Sequence, residues 1–214
     1  MLPQRYVITI GRSFGSGGRA LGRAIAERLG ISFYDKELLV KAAEKAGYNL
    51  EYFEKNDERA PSVVGGVIPF SMGFYPMSWI GNPGGGGSDS TYSAQCDLMH
   101  ELAASEPCVI VGRSADYVLR DLPNVVNIFV HAPMEECVRR IMERGDVAKE
   151  QDARALAERT NKLRANFYNF YTDKRWGHAH SYHLCLDSSS LPIDELADFA
   201  IDFVRRKLND APSS

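Results

Sequence analysis

No two cysteines in this chain stand at Cys-x-x-Cys spacing: Cys96, Cys108, Cys137 and Cys185 are scattered singly. That removes the ordinary zinc and dithiol readings and leaves four small apolar side chains suited to a core. No uninterrupted apolar run is long enough to span a bilayer, and Met1-Leu2-Pro3-Gln4-Arg5 leads straight into a strand pattern without a cleavable signal. The expectation is a cytoplasmic protein with no membrane partner. An excess of one charge is missing too: 25 Lys and Arg stand against 28 Asp and Glu, a formal net charge of −3, so no nucleic-acid partner is expected. What remains is 214 residues with 44% hydrophobic content, enough for one sizeable core. A single α/β domain with insertions is the expected architecture.

Residues 6–22 read as a buried strand, a glycine turn and the start of a helix. Val7, Ile8 and Ile10 supply the β-branched run, and Gly15, Gly17 and Gly18 let the backbone curl so that successive N–H groups face an anion. A helix from about Arg19 to Leu29 puts Leu21, Ile25 and Leu29 on one face and brings its positive end to the same spot. Two patterns compete for this phosphate cradle. The Walker pattern G-x-x-x-x-G-K-[ST] is not met, since Gly18 falls on the lysine and Arg19 on the hydroxyl residue; a cation is present, displaced by one. The dinucleotide pattern G-x-G-x-x-[GA] is met by Gly15, Gly17 and Ala20, with Asp35 where a ribose-binding acid would stand. A turn that merely closes a βα unit is the plain alternative.

Further along, Ile31 to Asp35 reads as a short strand, and residues 36–46 as a helix stopped by Gly47. The segment from Asp57 to Ser90 carries four prolines, the run Gly84 to Gly87 and many apolar residues, including Phe70, Phe74, Trp79 and Ile80. It lacks periodicity: a mobile loop is the plain reading and a flap over substrate the functional one, and its apolar content requires it to pack on the body, on a ligand or on a second subunit, as in a homodimer, with the three left open. A helix through about Ala104 follows, then strands at 107–111 and 125–130, a helix from about Met134, a long helix over 150–171, a strand at 182–187 and a final helix over 192–208. This alternation predicts a parallel sheet flanked by helices on both faces. Arg12 and Arg113 each follow a strand end, where open parallel sheets bind ligands.

Taken together, these pieces resemble the cytidylate kinase-like family, a branch of the P-loop nucleoside monophosphate kinases. The resemblance lies in Ile8 to Arg19, in Phe33-Tyr34-Asp35, in Val109 to Arg113, and in Asn161-Lys162-Leu163-Arg164 with Phe167, Tyr168, Tyr171, Trp176 and Gly177. It implies a three-layer P-loop kinase fold in one domain, 1–214. Roughly 36–105 would bind the monophosphate and roughly 144–180 would be a lid. It implies transfer of the terminal phosphoryl group of ATP, with Mg²⁺, to a nucleoside monophosphate of the CMP or dCMP kind. On this resemblance Arg12, Ser13, Gly15, Ser16, Gly17, Gly18, Arg19, Arg140 and Arg144 would hold the ATP phosphates. Asp35, Gln95, Arg113, Arg159, Lys162 and Arg164 would face the acceptor, and Arg19, Arg113 and Arg164 would act on the group in transfer. Arg113 matches the arginine of a Gly-Arg-Asp segment, with Ser114 in the place of the aspartate. The missing lysine and hydroxyl are expected to be replaced by Arg19 and by Ser13 or Ser16.

Two other classes compete with a kinase. A dinucleotide-binding oxidoreductase would use the glycine pattern and Asp35, but leaves the arginines unexplained. A nucleotide-sensing module would keep the cradle and lose the chemistry, as the absent lysine suggests. His178, His180 and His183 lack a matching carboxylate or cysteine cluster, so no protein-held metal is expected.

Overall fold

The computed structural model describes residues 2–45, 47 and 88–209. Five strands form one sheet: β1 (Val7–Arg12), β2 (Ser32–Tyr34), β3 (Cys108–Val111), β4 (Val125–His131) and β5 (Leu184–Asp187). Their order is β2-β3-β1-β4-β5 and every pairing is parallel, with Val7 opposite Cys108 on one side and Val125 on the other. The central strands are buried on both faces, which is why they read as mostly β-branched runs and not as a strict apolar/polar alternation. Because β3 lies between β1 and β2, the sheet departs from the dinucleotide-binding order, in which β1 and β2 are neighbours. The oxidoreductase reading loses its scaffold there.

The helices are α1 (Gly18–Leu29), α2 (Lys36–Lys45), α3 (Ser88–Ser105), α4 (Ala115–Val118), α5 (Met134–Glu143), α6 (Glu150–Tyr171) and α7 (Ile193–Asn209). On one face α1 and α7 bury Leu21, Ile25, Leu196 and Val204 against Ile8, Ile10 and Ile128. On the other, Leu39, Leu98, Met99 and Leu119 cover Val7, Cys108 and Ile110. Each such side chain taken fully out of water contributes about 1.5–3 kcal/mol. Cys108 belongs to this core, where burial pushes its thiol up to about 12. A separate small cluster of Val138, Ile141, Ala153 and Ala157 joins α5 to α6 beyond the edge of the sheet.

Three details differ from the sequence reading. β1 continues through Gly11 and Arg12, so the turn starts later. β5 begins at Leu184 because Ala179–Ser181 winds into a 3-10 turn, and Tyr182 instead lays its ring on Phe129 at 4.8 Å. The short α4 has no hydrophobic period to announce it; it is launched by Gly112, Arg113 and Ser114, three successive residues with φ of 82°, 59° and 53°. The apolar insertion, and with it the homodimer expectation, lies outside the described residues up to position 87. Among the described residues no helix is long and apolar enough to cross a membrane.

Candidate active site

β1 delivers Arg12 to the carboxyl edge of the sheet, and residues 13–17 turn back into α1. Ser13 N donates to Val130 O at 3.0 Å, and Ser16 closes the turn on Ser13 O through its N at 3.3 Å and its Oγ at 2.9 Å. Gly15 and Gly17 take φ of +80° and +77°, in the left-handed region that favours glycine. Space forbids a side chain at Gly15 as well, since a Cβ there would stand 2.7 Å from Cys137 O. No side chain caps α1 at Gly17, and its first turn lines a cleft in front of the sheet. The open N-terminal end of a 12-residue helix beside a glycine turn is an anion site.

The space beside Gly18, where the Walker pattern has its lysine, is crossed by a side chain from β1. A Cβ on Gly18 would lie 2.6 Å from the Arg12 Cβ, and one on Gly112 would fall inside the Arg12 guanidinium. The Arg12 side chain therefore leaves the end of β1, passes over Gly18 and reaches Gly112 at the end of β3. Arg19, expected to replace the lysine, lines the cleft but is engaged: its Nε donates to Asp35 Oδ2 at 2.7 Å and its Nη2 to Glu37 Oε2 at 3.3 Å. Ser16 Oγ is likewise committed, to Ser13 O, while Ser13 stays on the cleft wall.

Asp35 also accepts from Leu38 N at 3.1 Å, so one buried carboxylate both starts α2 and anchors Arg19. Burial alone would push this carboxyl up; the Leu38 amide and the Arg19 guanidinium outweigh it and hold the group below its ordinary value. A depressed acid contributes stability above its unfolded pKa of about 4 and loses it as pH falls through the lower folded value. Asp35→Asn is therefore expected to cost on the order of 1 kcal/mol at pH 6, with the gap between parent and variant narrowing as pH falls below the ordinary carboxyl range. Urea midpoints at pH 6, 4 and 3 check this, and a gap that widened on acidification would refute it. These bonds also leave Asp35 occupied in the role in which a ribose-binding acid would have to be free.

The other arginines separate into two groups. Arg140 and Arg144 do not act together: Arg140 donates from Nη1 to Ser16 O and Ser188 Oγ, both at 2.9 Å, and from Nη2 to Ser188 O at 2.7 Å. It ties the glycine turn to the loop after β5 and does not line the cleft. Arg144 does line it, bonded to Asp146 at 2.7 Å, as does Arg164, whose Nη1 donates to Arg12 O at 3.2 Å. Arg159 and Lys162 are exposed and absent from the cleft wall, contrary to expectation. Ala153, Ala157, Asn161, Arg164 and Tyr168 share the inward face of α6 at helical spacing, and residues 159 and 162 fall outside it. The cleft is open to solvent and has a volume of about 690 Å³, and Arg23, Lys36, Glu37, Asp146 and Phe14 also line it. Those five were not singled out from sequence. Arg23 was within reach of a spacing argument, one helical turn after Arg19.

Arg113 is only 6% exposed, although it ends a strand on the ligand side of the sheet. It stands between two smaller hollows. One, with room for about a single water, is shared with Arg12, Ser114, Asp116, Arg164 and Tyr168; the other, no larger, is shared with Lys36, Leu39, Gln95 and Leu98. Asp116 is buried there, and desolvation raises its carboxyl despite the Tyr168 hydroxyl donating at 2.6 Å. Among the described residues Ser114 Oγ is a buried side-chain oxygen with no hydrogen-bond partner. The histidines do not converge on a metal: His183 Nδ1 accepts from Asn127 N at 2.9 Å, and among the described residues no three potential ligands meet.

The sequence profile described as the cytidylate kinase-like family matches residues 7–190. Among solved structures, an uncharacterized protein from Eubacterium ventriosum ATCC 27560 aligns with a TM-score of 0.70 at 25% identity, covering 94% of this chain and 99% of that one. A shikimate kinase from Acinetobacter baumannii, in complex with shikimate, aligns with a TM-score of 0.52 at 14% identity over 95% of this chain and 94% of its own. A gluconokinase from Sinorhizobium meliloti 1021 gives a TM-score of 0.53 at 16% identity, covering 97% and 96%. At those identities the two kinases share the fold. A search among curated proteins finds no match.

Proposed function

The chain belongs to the cytidylate kinase-like family, and we propose that it moves the terminal phosphoryl group of ATP onto a nucleoside monophosphate, with CMP and dCMP the first candidates. The observation that carries this reading is the convergence of Arg12, Arg19, Arg144 and Arg164 on one cleft that also holds the glycine turn and the N-terminal end of α1. Phosphoryl transfer asks a protein for charge neutralisation and in-line positioning far more than for covalent help. Backbone N–H groups of residues 15–18 suit the ATP phosphates, and Arg12 supplies the cation that a Walker lysine would bring. Arg164 reaches the space between the turn and β3, where the group in transfer would lie. Arg113, Gln95 and Lys36 mark the acceptor side.

Mg²⁺ bound to ATP would add neutralisation between the β- and γ-phosphates. Ser13, on the cleft wall, would be its neighbour from the protein; such an ion keeps most of its waters and takes phosphate oxygens in place of a protein cage. A second reading, ATP binding without transfer, is favoured by Gly18 alone. Formation of ADP from Mg²⁺-ATP against a panel of ribo- and deoxyribonucleoside monophosphates decides between them. Acceptor-dependent ADP is the expected result; ATP that binds but yields no ADP with any acceptor would sink the kinase.

A further inference from the structure

Gly11 and Gly17 stand one residue further apart than the glycines of the Walker pattern, and the middle of the lengthened stretch is Phe14. A phosphate turn works through its backbone, so a large ring there calls for a separate reason. Phe14 N donates to Asn161 Oδ1 at 2.7 Å, which fastens the turn to α6, and the ring packs beside Val138, Ile141, Ala153 and Ala157. Over the same ring lie two guanidinium carbons, that of Arg144 at 5.3 Å from the centroid and that of Arg164 at 5.5 Å. Both distances are within the range at which an aromatic face attracts a cation. Ring and arginines line the phosphate cleft together.

Two like charges drawn to one place repel each other, and flexible side chains would ordinarily relieve that by swinging into water. Arg144 is also turned to Asp146 through Nε and Nη2, and Arg164 to Arg12 O through Nη1; the negative face of the ring adds attraction for both cations without itself accepting an N–H bond. We propose that Phe14 is a positioning residue, whose ring holds the Arg144 and Arg164 guanidiniums over the cleft so that an incoming polyphosphate meets them already placed. The ordering cost is met in the resting protein, so the gain appears as anion affinity. This inference rests on the phosphate-cleft part of the proposed function, not on transfer.

Leucine at position 14 keeps an apolar side chain in the α5–α6 cluster and removes the π face; tyrosine keeps the face. The test is calorimetric titration of the full chain with inorganic pyrophosphate. Phe14→Leu is expected to weaken binding about tenfold, Phe14→Tyr to stay within about twofold of the parent. In an Arg144→Gln background the loss on Phe14→Leu is expected to shrink to about threefold, because one of the two held cations is gone. An equal loss in both backgrounds, or none in the first, would overturn the proposal, since packing alone would give it. A parent that ignores pyrophosphate would overturn it together with the phosphate cleft. These ratios without ADP formation from any acceptor would leave Phe14 in its role and remove only the kinase.

Discussion

Arg113→Gly is expected to lower kcat/KM for the acceptor about a thousandfold, equivalent to about 4 kcal/mol of transition-state stabilisation, while leaving the fold within about 1 kcal/mol of the parent. The two halves of that result come from the same geometry. Arg113 is 6% exposed and holds φ of 59°, a left-handed backbone that costs an ordinary residue about 1–2 kcal/mol. Glycine relieves that strain and gives back about 0.5–1 kcal/mol through the greater freedom of the unfolded chain. Desolvation of a guanidinium is a further cost that the variant no longer carries. Against these gains stands the loss of the contacts the side chain makes, so the stability terms offset one another.

Nothing comparable offsets the catalytic loss. Arg113 stands between the hollow that holds Arg12 and Arg164 and the one that holds Gln95 and Lys36, and on the proposed function its fork would meet the acceptor phosphate there. Steady-state kinetics with the acceptor varied, beside urea denaturation, measure both halves. A variant destabilised by 3 kcal/mol or more would make Arg113 a strut of the kind Arg140 is. An unchanged kcat/KM would move the acceptor away from β3.

The layers of this fold are legible in the chain because they depend on local pattern: Val109 to Val111 is a continuous apolar run, Val7 to Ile10 and Val126 to Val130 are apolar runs each interrupted by one polar residue, Thr9 and Asn127, and the glycines at 15, 17 and 30 punctuate them. Arg113 is legible for the same reason, since a strand end is a sequence landmark. Arg140 is not, because its role depends on Ser188 arriving from the loop after β5, a contact between residues 48 positions apart. The position of Arg159 and Lys162 off the cleft wall is not legible, because charge marks a helix as useful without saying which face turns inward. The burial of Ala153 and Ala157 settles that face, and small apolar residues carry little signal. That an arginine side chain crosses Gly18 is not legible at position 18 itself, because that arginine, Arg12, belongs to β1, six residues earlier in the chain.

Gly18→Lys, which writes the Walker lysine back into the sequence, is for that reason expected to damage the protein. Its Cβ would stand 2.6 Å from the Arg12 Cβ and 3.2 Å from the Val130 Cβ, both close to the backbone and unable to swing aside. Overpacking of this kind costs about 1–3 kcal/mol, and displacing Arg12 or the turn should weaken ATP binding at least about tenfold. Arg12→Ala in the same chain would not relieve it, because alanine keeps the offending Cβ. Arg12→Gly would. The double variant Arg12→Gly with Gly18→Lys is therefore expected to recover most of the stability and to bind ATP more tightly than either single variant, with a coupling of about 2 kcal/mol between the positions. A double-mutant cycle on ATP affinity and on the urea midpoint measures it. Additive losses would mean that Arg12 does not stand in for the lysine, whereas a strong coupling would mean that one cation site at the mouth of the turn is filled here from β1 in place of α1.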